Sequence, residues 1–190
     1  MSKKMNLAVT VLGLFLAVPC GLFAARHAKA PVEDERINDI TVNPLGLVFG
    51  LGNVSYERAL SKDNSWLVGA NYGSYGITDN RLTIFGVTGA YRWWAGDKDL
   101  SGWFAGPELK IESVAWSYGV SGQTYNASGS FFGGGVQGGY QWVFHSGFTL
   151  NLGLNFDYLA GSISSNIAGA PSLTFGGSGA GANLGLGYAF

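Results

Sequence analysis

Ala180-Gly181-Ala182-Asn183-Leu184-Gly185-Leu186-Gly187-Tyr188-Ala189-Phe190 closes the chain, and its parity decides the fold. Ala180, Ala182, Leu184, Leu186, Tyr188 and Phe190 share one face, and Gly181, Asn183, Gly185, Gly187 and Ala189 share the other. Side chains alternate across a strand with period two, so this is a strand with one apolar face and one small, polar face. Phe148 to Tyr158 repeats the pattern more strongly. Phe148, Leu150, Leu152, Leu154, Phe156 and Tyr158 oppose Thr149, Asn151, Gly153, Asn155 and Asp157. A helix would scatter both sets around its circumference.

Five earlier segments obey the same rule. Phe132, Val136, Tyr140, Trp142 and Phe144 oppose Gln137, Gln141 and glycines, while Trp103, Ala105, Pro107, Leu109 and Ile111 oppose Phe104, Glu108, Lys110 and Glu112. Thr83, Phe85, Val87, Tyr91 and Trp93 oppose Ile84, Thr88 and Arg92. Trp66, Val68, Ala70 and Tyr72 oppose Gly69 and Asn71, and Val54, Tyr56 and Leu60 oppose Ser55 and Glu57. An eighth strand is predicted over Thr41–Phe49, turning at Gly50-Leu51-Gly52, because an even strand number brings both termini to one side. Pro44 suits an edge or a bulge better than a ladder interior, and one long strand through Leu60 is the rival reading.

At the other terminus, Lys3 and Lys4 precede an apolar run from Leu7 to Ala25 and an Ala28-Lys29-Ala30 cleavage site. Residues 1–30 therefore read as a secretory signal peptide, favoured over a retained anchor by Pro19 and Gly21 within the run. Cys20 raises a lipoprotein alternative, which the preceding Pro19 fits poorly. Cleavage removes the chain's one Cys and leaves seven basic against twelve acidic residues, a net charge of −5. No disulfide or thiolate metal site is then expected, and an acidic chain without a basic cluster excludes a nucleic-acid partner.

Beyond residue 30 no apolar stretch approaches the ~18 residues of a spanning helix. An exported chain rich in glycine and aromatics can still cross lipid if its strands close, because closure pairs every backbone group. The fold expected is all-β: a single up-and-down antiparallel transmembrane β-barrel of eight strands over residues 40–190. Residues 31–39 form a charged periplasmic lead-in. A soluble secreted barrel of the lipocalin type is the alternative.

Ser61–Asn64, Gly96–Ser101 and His145–Gly147 read as short periplasmic turns. Gly76–Asn80, Tyr118–Gly129 and Ala160–Gly177 read as outer loops, two of them long. Trp66, Trp93, Trp94, Trp103 and Trp142, with Phe148, Tyr188 and Phe190, then fall beside the short turns as a periplasmic aromatic girdle. Trp116, Tyr118, Tyr158 and Tyr72 fall at the other ends as a second one.

The polar parity gathers Glu57, Arg92, Glu108, Lys110, Glu112 and Asp157 on the interior face, with Gln137, Gln141, Asn151 and Asn155. Paired carboxylates can act as acid and base, but small barrels fill their interiors with side chains, so a structural network is expected and a polar conduction path is the alternative. His145 beside Ser146 sits in a tight turn without a third orienting group, which is no catalytic triad. Gly133-x-Gly135-x-x-Gly138 matches a dinucleotide fingerprint, but a strand follows it where the fingerprint needs a helix. No catalytic residue, cofactor or metal is expected.

With its strand pattern and terminal Tyr188-Ala189-Phe190, the chain resembles the small eight-stranded outer-membrane barrels of the OmpA/OmpX type. Asn43-Pro44-Leu45-Gly46, Asn53 to Glu57, and Gly134 to Trp142 are similar to a family of bacterial outer-membrane proteins of unknown function. The resemblance covers residues 40–190. It implies a bacterial outer-membrane location, contact with lipid and lipopolysaccharide, and recognition of Tyr188 and Phe190 by the barrel-assembly machinery. It carries no catalytic residues, and no peptidoglycan-binding domain is expected after the barrel. Three classes of function follow: a non-enzymatic surface or structural protein with a plugged lumen, a narrow channel or lateral conduit for small or apolar solutes, and a lipid-modifying enzyme. The first is the expectation.

Overall fold

The structure, a computed structural model, describes residues 36–48, 50–77, 80–98, 100–120, 123–167 and 171–190. The predicted signal peptide and most of the lead-in lie outside these residues. The elements are β1 (Asn38–Val42), α1 (Pro44–Val48), β2 (Leu51–Ser61), β3 (Asn64–Ile77), β4 (Asn80–Lys98), β5 (Ser101–Val120), β6 (Gln123–Val143), β7 (Phe148–Ser165) and β8 (Leu173–Ala189). Each strand pairs antiparallel with its sequence neighbours, and β8 returns to β1, so the sheet is a closed eight-stranded up-and-down barrel.

The first strand differs from its expected span. It starts at Asn38 and ends at Val42, and Pro44–Val48 is a turn of helix. The local chemistry explains the change. Asn43 caps the turn, its Oδ1 accepting from the Gly46 N–H at 3.1 Å, and Pro44 follows at the first helical position, where its missing N–H costs nothing. Gly50, at φ 73°, reverses the chain into β2.

The long outer loops are also corrected. β5 runs to Val120 and β6 begins at Gln123, so Tyr118–Gly129 is almost all ladder, with pairs such as Trp116↔Ala127 and Tyr118↔Tyr125. Ala160–Gly177 likewise divides between β7 and β8, joined by residues 166–172. Serine, glycine and alanine look like loop chemistry in sequence, yet a neighbouring strand can hold them by backbone bonds alone. Strands β4 to β8 therefore stand far taller than β1 and β2.

Pro107, lacking an N–H, falls inside β5. The β4–β5 ladder runs from Ala90↔Glu108 to Trp93↔Ala105 and skips the pairs between. At the gap, a Cβ on Gly106 would lie 1.8 Å from the Tyr91 carbonyl oxygen, so only glycine lets the two backbones approach.

The turn entering β5 closes the short-turn end of the barrel. Leu100 is held at φ 52°, a left-handed conformation that costs a non-glycine residue about 1–2 kcal/mol. Its side chain is 1 % exposed and packs with Trp94 and Phe104, whose rings lie 5.3 Å apart. Leu100→Ala should lower stability by about 2–4 kcal/mol in equilibrium urea unfolding. Leu100→Gly should cost no more, although it removes one further carbon, because it relieves the backbone.

Candidate functional site

The interior is built in tiers from the short-turn end upward. Asp39 lies at the base, 2 % exposed, and accepts hydrogen bonds from Thr149 Oγ1 and Gln141 Nε2, both at 3.0 Å. Gln141 Nε2 also donates to the Leu100 carbonyl at 2.9 Å, and its Oε1 accepts from Asn151 Nδ2 at 2.7 Å. Asn183 donates to Asn151 and accepts from Asn43, which carries the chain of bonds from β6 through β7 and β8 to the end of β1.

The second tier is an ion pair. Arg92 Nη1 donates to Glu57 Oε2 at 2.7 Å, with both side chains 5 % exposed or less. Glu57 Oε1 accepts from the Ser65 hydroxyl, which in turn accepts from Trp94 Nε1 at 2.8 Å. Arg92 Nε and Nη2 converge on Gln137 Oε1, and the guanidinium lies over the Phe104 ring at 4.1 Å. Two charges taken from water are tolerated only when their remaining donors and acceptors are met, as they are around this pair. Gly139 makes the arrangement possible, since a Cβ there would lie 2.8 Å from the Phe104 ring.

The third tier is acidic. Lys110 Nζ donates to Asp157 Oδ2 and lies 3.1 Å from Glu108 Oε1, while Asn155 also donates to Asp157. Glu108 Oε1 has only this contact with the ammonium group, and Asp157 Oδ1 and Gln137 Nε2 are buried without a hydrogen-bond partner. A cavity of about 220 Å³ lies between the second and third tiers, against Arg92, Phe104, Glu108, Lys110, Gln137 and Asn155. Glu112 lies on the same face, between Gly86 and Phe131, and joins none of the hydrogen bonds or ion pairs among the described residues.

All ten polar residues assigned to the interior thus lie on the inner face, and nine of them are joined in hydrogen bonds or ion pairs. Asp39, Ser65 and Leu100 were missed, and Thr149, which the alternation places on the polar face, was not expected in the network. Asp39 was legible, because Asp39, Thr41 and Asn43 alternate with Ile40 and Val42, and the strand simply starts before residue 40. Leu100 was not, because its burial follows from a turn folding inward.

Outside, aromatic residues form a ring beside the short turns. Tyr56 packs on Trp66, Tyr91 on Trp93, Tyr140 on both Trp103 and Trp142, and Phe144 on Phe148. Tyr188 pairs with Phe148 and Ile40 and completes the circle, and Phe190 exchanges backbone hydrogen bonds with Asn38. Two tryptophan assignments change. Trp94 faces inward at 2 % exposure, because it follows the outward Trp93. Trp116 and Tyr118 share the inward parity of Glu112, so the second girdle keeps only Tyr72 and Tyr158 on the outside. His145 is exposed, and its carbonyl and that of Phe144 accept from Arg36, tying the lead-in to that turn. The adjacent Ser146 hydroxyl accepts from the Phe148 N–H. Gly133, Gly135 and Gly138 lie within β6, which no helix follows.

These features define a small antiparallel barrel with a polar, ion-paired interior and an apolar outer surface. Residues 17–167 match the family described as protein of unknown function (DUF3575), and the chain belongs to that family. No curated protein and no solved structure matches it.

Arg92→Met should cost about 3–5 kcal/mol in urea unfolding, since it leaves Glu57 charged, buried and unpaired. Adding Glu57→Gln should recover most of that loss.

Proposed function

We propose that the protein is an integral barrel of the bacterial outer membrane, non-enzymatic, with a plugged lumen and a structural or surface-interaction role. The observation that carries this reading is the inverted polarity of the barrel. Its buried residues include Asp39, Glu57, Arg92, Glu108, Gln141 and Asn151 beside the small apolar cluster of Trp94, Leu100 and Phe104, while Leu109, Ile111, Phe132, Leu154 and Tyr158 are each more than half exposed on the outside. A contiguous apolar exterior needs an apolar phase or a partner to cover it. The outward apolar row on β7 runs from Phe148 to Tyr158, about 33 Å along the strand at ~3.3 Å per residue. Tilted by ~40°, it spans about 25 Å, the height of the band that an outer-membrane barrel presents to lipid. The aromatic ring at the short-turn end fits a headgroup boundary.

This reading makes the short-turn end periplasmic and the tall strands extracellular. Lipid and lipopolysaccharide are then the surrounding partners, and Tyr188 with Phe190 is the segment read by the barrel-assembly machinery. The OmpA/OmpX likeness rests on shared strand number and topology. The plug of Trp94, Leu100 and Phe104, backed by the Asp39–Gln141–Asn151 network, supports a closed lumen over a channel.

Mature protein should require detergent or lipid for a monodisperse state and should migrate faster on a gel before boiling than after. In planar bilayers it should give no reproducible openings. A monodisperse detergent-free barrel would sink the membrane reading, and steady conductance that changes on Glu108→Gln would sink the plug.

A further inference from the structure

The cylinder changes character where β4 to β8 rise above the apolar band. On the outside, the row that begins with Phe85 continues across the sheet as Ser113, Ser130, Ser162 and Thr174. The next outward row above it is Ser74, Thr83, Ala115, Ser128 and Ser164. On the inside, the matching rows are apolar. Ile84, Val114, Gly129, Ile163 and Leu173 form one, and Tyr75, Leu82, Trp116 and Ala127 the next. Tyr118 faces Tyr125 above them, and Phe131 and Leu159 lie below.

Polarity is therefore reversed within one barrel. The lower section has polar side chains inside and apolar ones outside, and the upper section has the opposite. The upper lining is not packed shut. Leu82, Ile84, Val114, Phe131, Leu159 and Ile163 are only partly buried, and Trp116 and Tyr118 are 55 % and 45 % exposed. These inward rows make an apolar wall on β4 to β8, open to solvent and open along the β8 edge, since β8 pairs with β1 only over Leu186–Ala189. An exposed apolar wall on a curved sheet is a surface on which a small ligand can lie.

The floor fixes the charge of the occupant. Glu112 stands at the foot of the wall and joins no ion pair among the described residues, and below it Glu108 and Asp157 share the cation Lys110. Three acids against one base leave a negative surplus. Aromatic rings on the inward rows, Phe131 beside Glu112 and Trp116 and Tyr118 above it, attract a positive charge through their quadrupoles.

We propose that this upper section is a binding cup for a small amphiphilic organic cation. Its apolar body lies against Ile84, Val114, Trp116 and Ile163, and its ammonium group sits on Glu112. The proposal rests on the membrane reading only for the side of the envelope from which the ligand arrives, since the cup exists whichever phase surrounds the lower section.

Isothermal titration of the folded mature barrel, in nanodiscs or in buffer according to where it is monodisperse, tests this with hexyltrimethylammonium as probe. Hexanoate and tetramethylammonium serve as comparators, and protein-free nanodiscs as blank. Saturable binding of one probe per barrel is expected, with no saturable hexanoate binding and weaker binding of tetramethylammonium. Glu112→Gln and Trp116→Ala should each weaken the probe about tenfold, as loss of one charged or stacking contact does. Ser113→Ala, on the outward row, should leave it unchanged. A folded, heat-modifiable barrel without saturable probe binding overturns the cup. So does hexanoate binding as tightly, or a Glu112→Gln variant with unaltered affinity. A barrel that is soluble without detergent yet binds the probe would sink the membrane reading and leave the cup standing.

Discussion

Four ladder pairs between β1 and β8, from Asp39↔Ala189 to Val42↔Leu186, hold the cylinder shut. Phe190 extends the seam by exchanging backbone hydrogen bonds with Asn38 at 2.8 and 3.0 Å. An open sheet would leave two edges of unpaired amide and carbonyl groups, which an apolar surrounding phase cannot satisfy. Closure also makes the inner face an inside. Without the seam, Glu57, Arg92 and Asp39 would be residues on one side of a sheet, with no reason to find one another.

Once closed, the barrel is too narrow to leave its charges in water, and the interior is arranged around that limit. Arg92 takes Glu57 and Gln137 and stacks on Phe104, so its fixed fork of donors is used in several directions at once. Lys110, a compact charge on a flexible stem, stands between Glu108 and Asp157 higher up. Glycines on β6 and the gap beside Pro107 supply the room. The base is filled by apolar packing, and the middle is held by charge pairing.

The tall upper section follows a different logic. Its strands lack the apolar exterior of the lower barrel and carry serine and threonine there, with aromatic and aliphatic residues turned inward. One chain thus exchanges the roles of its two faces partway along the same strands. The sequence rhythm continues unbroken through that change, and it is their place near the strand ends, not their parity, that labels Trp116 and Tyr118 as girdle residues. Counting on from Glu112 places them inside.

Strand existence, the pairing of neighbours and the polar inner face were all legible in the chain, because period-two alternation is a local property that each strand carries by itself. The same alternation by itself puts Glu57, Arg92, Glu108, Lys110 and Asp157 on one face. Tertiary structure decided what depends on partners distant in sequence. It set which acid meets which base, turned Leu100 inward against Trp94, and joined Asp39 to Gln141 and Thr149 across more than a hundred residues. It also made strands of Tyr118–Gly129 and most of Ala160–Gly177, whose small residues have little preference of their own and take their conformation from the ladder beside them.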